Sequence, residues 1–120
     1  MKKLIAIVAL ILGCSNPFGG EPDFDMEIRV WDKPGYYTDV YLFYDEGQLG
    51  SEQFIHYALW DEYTESILHS GTVDGPSPFL IGDYHDDFST WVVIEVVDDG
   101  DVIWSHTFTE SEYGEYSPYN

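Results

Sequence analysis

From Phe24 onward the apolar residues recur at every second position, in short runs separated by glycine, proline and acidic turns. Successive side chains of an extended strand point to opposite faces, so this period is that of a half-buried strand. Phe24, Met26, Ile28 and Val30 alternate with Asp25, Glu27 and Arg29, and Lys33-Pro34-Gly35 ends the run, as a Pro-Gly turn should. Residues 37–44 set Val40 and Leu42 against Tyr37, Asp39, Tyr41 and Phe43. Both sets carry apolar side chains, which leaves the inward face open. Residues 53–60 set Ile55, Tyr57 and Leu59 against Phe54, His56, Ala58 and Trp60.

A weaker run at 65–73 has Ile67 and His69 as the candidates for its inward face. Asp74 to Pro78 is a clear break, 79–81 is a short strand, and 82–87 reads as an acidic loop. Residues 90–97 are apolar on both faces, which predicts a central strand covered on both sides. Asp98-Asp99-Gly100-Asp101 is a tight-hairpin signal, because Asp-Gly tolerates the positive φ of primed turns. Residues 102–109 pair back, and the acidic, tyrosine-bearing tail 111–120 extends the last strand or stays loose.

No stretch carries a helical period over three turns. Seven short strands at roughly ten-residue spacing predict an all-β fold, an antiparallel β-sandwich of about seven strands. The strand order resembles an immunoglobulin-like or fibronectin-III-like module, with an open barrel as the alternative. The cysteine pair usual in such modules is absent, and the architecture alone implies no function.

The segment before the domain has a different logic. Met1-Lys2-Lys3 is cationic, and residues 4–12 are unbroken apolar. Nine residues of helix reach only about 14 Å, against roughly 30 Å of bilayer hydrocarbon, so the run is too short to span. A charged start, a short apolar run and a small residue at its end are the marks of a secretory signal peptide. Its close, Ile11-Leu12-Gly13-Cys14, resembles the bacterial lipobox. That resemblance implies cleavage after Gly13 and acylation of Cys14, palmitate included. Ser15 in place of Asp lacks the family's inner-membrane retention signal, which implies a lipoprotein of the cell envelope held at the outer membrane. Several acyl chains would make the tether stable where one would not.

The expected organisation is therefore a signal peptide (1–13), a lipidated linker (14–22), a sandwich domain (23–110) and the tail (111–120). Cys14 is the only cysteine, so packing alone must hold the domain together. The short linker keeps the domain near the bilayer.

Charge sharpens what such a domain can do. Without residues 1–13, the two cations Arg29 and Lys33 face 23 acids, a formal charge of −21. Such a surface repels phosphate backbones, which excludes nucleic acid as a partner. It also lacks the Lys and Arg that phosphoryl transfer uses. The acids are spread along the chain, as solubility in a salty medium would require. The competing reading is a Ca²⁺ site at Asp83, Asp86 and Asp87, beside His85. Asp98, Asp99 and Asp101 are explained by turn chemistry.

His56, His69, His85 and His106 show no metal-ligand spacing and no His-Glu-x-x-His pattern, so a structural imidazole is the plainer reading of each. No Gly-x-Ser-x-Gly elbow occurs, and acid pairs at glycosidase spacing would arise by chance among so many carboxylates. A non-catalytic domain is expected. If Tyr37, Tyr41 and Phe43 face outward they form an aromatic stripe suited to protein contact. The first expectation is thus an interaction or accessory module that contacts another envelope protein. A carbohydrate-binding module, with or without Ca²⁺, is the second, and a small hydrolase the third.

Overall fold

The structure, a computed structural model, describes residues 24–118. The signal segment, Cys14 and the linker lie outside the described residues. Strands β1 (Met26–Asp32), β2 (Tyr37–Tyr44), β3 (Gln53–Asp61), β4 (Ser66–Thr72), β5 (Phe79–His85), β6 (Thr90–Asp98), β7 (Asp101–Thr109) and β8 (Gly114–Glu115) form two sheets. One has the order β5-β2-β1-β8 and the other β4-β3-β6-β7. All pairings are antiparallel except that of β8 with β1. Each sheet keeps its own edge strands, so the fold is a β-sandwich and not a barrel.

The alternation seen in the sequence supplies the core. Ile28, Val40 and Leu42 of the first sheet meet Ile55, Leu59, Val92, Ile94 and Val96 of the second, each no more than 1% exposed. Burying each such side chain is worth roughly 1.5–3 kcal/mol. The Asp-Gly hairpin forms as expected: Asp98 pairs with Asp101, and Asp99 and Gly100 between them have φ of 53° and 85°. Both positive values belong to a type I′ turn.

Three expectations are corrected. Ile67 does not face inward; it is 49% exposed and lies opposite Trp60. A register shift between Leu59 and Trp60 absorbs Leu68 as an extra residue, and a bulge of this kind turns the residues beyond it to the other face. Strand β6 is central but not covered on both sides: Val92, Ile94 and Val96 are sealed, whereas Trp91 and Val93 are only half-buried by neighbours in their own sheet. The run 79–81 continues to His85, so Gly82 and Asp83 belong to a strand and the acidic loop is shorter than expected.

Gly82 sits where the edges of the two sheets approach. A Cβ there would come within 2.6 Å of His69 Cγ, far inside van der Waals contact. His69 crosses from β4 and its Nε2–H donates to the Asp83 carbonyl, 3.0 Å away.

The tail leaves its sheet after Thr109. A capping box turns it: Glu112 accepts from the Thr109 backbone N–H at 2.8 Å, and from His106 Nε2 at 2.9 Å. It then crosses to the first sheet, where the Tyr116 N–H donates to the Val30 carbonyl at 3.0 Å. Gly114–Glu115 pairs with Arg29 and Val30 there, shortening the exposed edge of β1, the kind of edge that invites unwanted pairing.

Candidate binding site

On β2 the inward residues Val40 and Leu42 are fully buried, so Tyr41 and Phe43 stand on the solvent side of the first sheet. Register places Arg29 beside Tyr41 and Glu27 beside Phe43. The Arg29 guanidinium lies 4.2 Å from the Phe43 ring centre and its Nε donates to Glu27 at 2.8 Å. Tyr116 arrives from the tail and sets its ring edge-on to both aromatics, at 4.9 Å from Tyr41 and 5.0 Å from Phe43. Edge-to-face packing of this kind adds about 0.5–1.5 kcal/mol beyond area. The result is a braced aromatic patch, with its members half-exposed.

Tyr37 is part of a different group. Four residue steps along the strand set it about 14 Å from Tyr41. At its end of the sheet the Tyr37 ring meets His85 at 5.4 Å, and Tyr36 stacks on the same imidazole at 6.1 Å. The expected aromatic trio is therefore split, with all three members accessible. Arg29 and Tyr116 were not legible as members of the patch; the scarcity of cations and the tyrosines of the tail were the only signals.

Arg29 and Lys33 are the two cations among the described residues, and both serve the first sheet. Lys33 Nζ donates to Asp39 at 2.8 Å and lies 3.9 Å from Asp83. The hydrogen bond to Asp39 raises the lysine above its ordinary pKa, against the opposing pull of desolvation.

The three acids proposed for Ca²⁺ turn to separate partners. Asp83 on β5 faces Lys33 and lies 3.5 Å from His69 Nε2. Asp86 accepts from the Thr38 hydroxyl at 2.7 Å. The Asp87 backbone N–H donates to His85 Nδ1 at 3.1 Å while its own side chain is exposed. Among the described residues no group of three or more His, Cys, Asp or Glu is placed to hold a metal ion. Asp83 lies on β5, whereas Asp86 and Asp87 lie in the turn beyond His85, so the end of the strand divides the three carboxylates. Asp83, His69, His85, Tyr37 and Phe88 line an open cleft of ≈ 490 Å³ beside them.

The outer face of the second sheet differs from everything around it. Strands β3 and β6 turn Phe54, His56, Ala58, Trp60, Trp91 and Val93 outward, and Glu95 is the only acid at an outward position of its four strands. The remaining acids gather at turns, strand ends and the other sheet. Around Ala58 this face has a shallow hollow of ≈ 470 Å³. Small residues make the depression: Ala58 has Ser70 on one side and Val93 on the other. Trp60 and His56 wall it along the strand, and Thr72 and Glu95 border it. Trp60 and Trp91 pair in register with ring centres 6.2 Å apart.

The described residues thus form an acidic β-sandwich with two accessible aromatic faces, of which the outer face of the second sheet carries the single acid Glu95. Comparison with family models, with curated proteins and with solved structures finds no match.

Proposed function

We propose that this chain is a lipid-anchored protein of the cell envelope, at the outer membrane, whose sandwich is a non-catalytic module that docks another envelope protein. The anchor is Cys14, acylated after cleavage of residues 1–13. The docking surface is the outer face of β1 and β2, centred on Tyr41, Phe43 and Arg29 with Tyr116 beside them. One observation carries the reading: these side chains lie opposite the sealed Val40 and Leu42 and so are not core. Tyr and Arg are the residue types that anchor protein interfaces. Rings already braced by Tyr116 and Arg29 lose little freedom when a partner covers them. Arg29, held by Glu27 and stacked on Phe43, adds a cationic group to the patch, which a polar group of the partner can meet.

Two measurements test the proposal. A photo-crosslinking amino acid at position 41, in cells, should yield a discrete adduct that is lost when Phe43→Ser and Arg29→Glu are added. The same probe at Glu62, on a turn away from the patch, should yield none. Adducts that are equal at both positions would refute the docking surface. For the anchor, Cys14→Ser should abolish palmitate labelling and release the protein from the membrane fraction; retained labelling would place the lipid elsewhere.

A further inference from the structure

We propose that the hollow around Ala58, on the outer face of the β4-β3-β6-β7 sheet, binds a neutral sugar ring. The site is separate from the docking surface above and does not depend on it.

Shape is the first argument. The depression exists because Ala58, Ser70 and Val93 lie side by side across three strands while Trp60 and His56 rise on either side of Ala58 along β3. At ≈ 470 Å³ it lies within the roughly 300–1,000 Å³ of small-ligand sites. It is a shallow trough on a sheet face, open enough for an internal unit of a longer glycan to lie in it.

Chemistry is the second. The face of an aromatic ring carries partial negative charge and attracts the positive edges of C–H groups, which a pyranose presents on its apolar side. Trp60 offers such a ring beside a floor of Ala58 and Val93. The polar border suits the hydroxyls: Glu95 accepts, Ser70 and Thr72 both donate and accept, and the His56 imidazole does either. A carboxylate acceptor makes the stronger, charge-assisted hydrogen bond. Trp60 Nε1 is shielded from solvent without a hydrogen-bond partner, whereas most buried donors are satisfied.

Charge selects among ligands. A cation would be drawn to the acid-rich turns in preference to a face with the single carboxylate Glu95. An anion would be repelled by a domain of formal charge −21. A neutral ligand with one apolar side and several hydroxyls is what remains. A protein partner on Phe54 and Ile67, the exposed apolar residues of this face, is the competing occupant and is an outcome of the test.

The experiment uses the full mature chain and neutral tetrasaccharides of glucose, mannose and N-acetylglucosamine, with polygalacturonate as an anionic control, followed by titration calorimetry and tryptophan fluorescence. At least one neutral tetrasaccharide should bind saturably and shift the emission, and polygalacturonate should not. Ala58→Tyr fills the hollow from a solvent-facing position and should weaken binding at least tenfold with an unchanged melting temperature. Thr72→Tyr blocks the border from the neighbouring strand and serves as the second variant should the first misfold. Glu95→Gln should weaken binding severalfold. No saturable binding of any neutral tetrasaccharide at roughly 10 mM, a range in which even millimolar affinity would register, overturns the proposal. So does binding that survives both blocking variants, or a protein crosslink at Ala58 that oligosaccharide does not displace.

Discussion

The Tyr113 hydroxyl lies 3.1 Å from Thr90 Oγ1, tying the tail to a threonine that is 1% exposed at the start of β6. Thr90 is a junction: its backbone N–H and its hydroxyl both donate to Glu110, at 2.9 and 3.2 Å, which leaves the hydroxyl oxygen to accept from Tyr113. The tail therefore crosses the sandwich end on buried polar contacts, delivering β8 to the edge of β1 and Tyr116 to the aromatic patch.

Removing those contacts should loosen the whole domain. Tyr113→Phe is expected to cost about 1 kcal/mol, one net hydrogen bond. Tyr113→Ala should cost about 2–3 kcal/mol, less than for a fully sealed aromatic because this ring is only partly buried. Urea unfolding of the two variants checks the order. Equal midpoints for Tyr113→Ala and the parent chain would show that the tail contributes nothing to stability.

The two sides of β2 should respond in opposite ways. Leu42→Ala opens a cavity in the sealed core and should cost about 2–5 kcal/mol. Tyr41→Ser and Phe43→Ser remove half-exposed rings that pack edge-on against Tyr116, the Phe43 ring also lying under the Arg29 guanidinium, and each should cost about 1 kcal/mol. Thermal melts of the three single variants decide it. A serine variant as damaging as Leu42→Ala would mean these rings belong to the core.

At the sheet edges, Gly82→Ala should cost about 1–3 kcal/mol, the usual penalty of overpacking, because the new methyl meets His69 at 2.6 Å. His69→Ala removes the obstacle, so the double variant should recover most of that loss. A double-mutant cycle measures the coupling, and strictly additive effects would show that the backbone shifts to absorb the methyl instead.

Stability should fall at both pH extremes for identifiable reasons. Tyr44, Tyr84 and Tyr113 have raised pKa values, burial being the main cause in each. Their neutral forms are favoured in the folded state, so this stability is complete below the ordinary tyrosine value of about 10 and is lost as pH climbs above it. The loss is about 1.4 kcal/mol per pH unit for each proton by which the two states differ. Glu112 is shifted the other way, first by the Thr109 backbone N–H and then by His106. Its contribution is present above the ordinary glutamate value of about 4.3 and is lost as pH falls through the lower folded value. Unfolding midpoints at pH 8 and pH 11 test the alkaline limb, where Tyr113→Phe should flatten the decline. Hydrogen exchange of the tail amides at decreasing pH tests the acid limb, where Glu112→Gln should remove the dependence.

The all-β class, seven of the eight strands and the Asp99-Gly100 hairpin were legible in the residues themselves. Alternation and turn preference are local properties: they follow from where Cβ points along an extended backbone and from which residues accept positive φ. The proposed anchor at Cys14 is likewise a matter of local sequence. Tertiary structure decided the rest. Val40 with Leu42 and Tyr41 with Phe43 have the same period, and only the strands packed above them make the first pair core. The bulge at Leu68 that turns Ile67 outward arises from pairing with β3, and the dispersal of Asp83, Asp86 and Asp87 from the pairing of β5 with β2. The crossing of the tail to β1 and the hollow around Ala58 depend on residues brought together across strands. Those contacts join residues on different strands, and the pattern within any one strand does not reveal them.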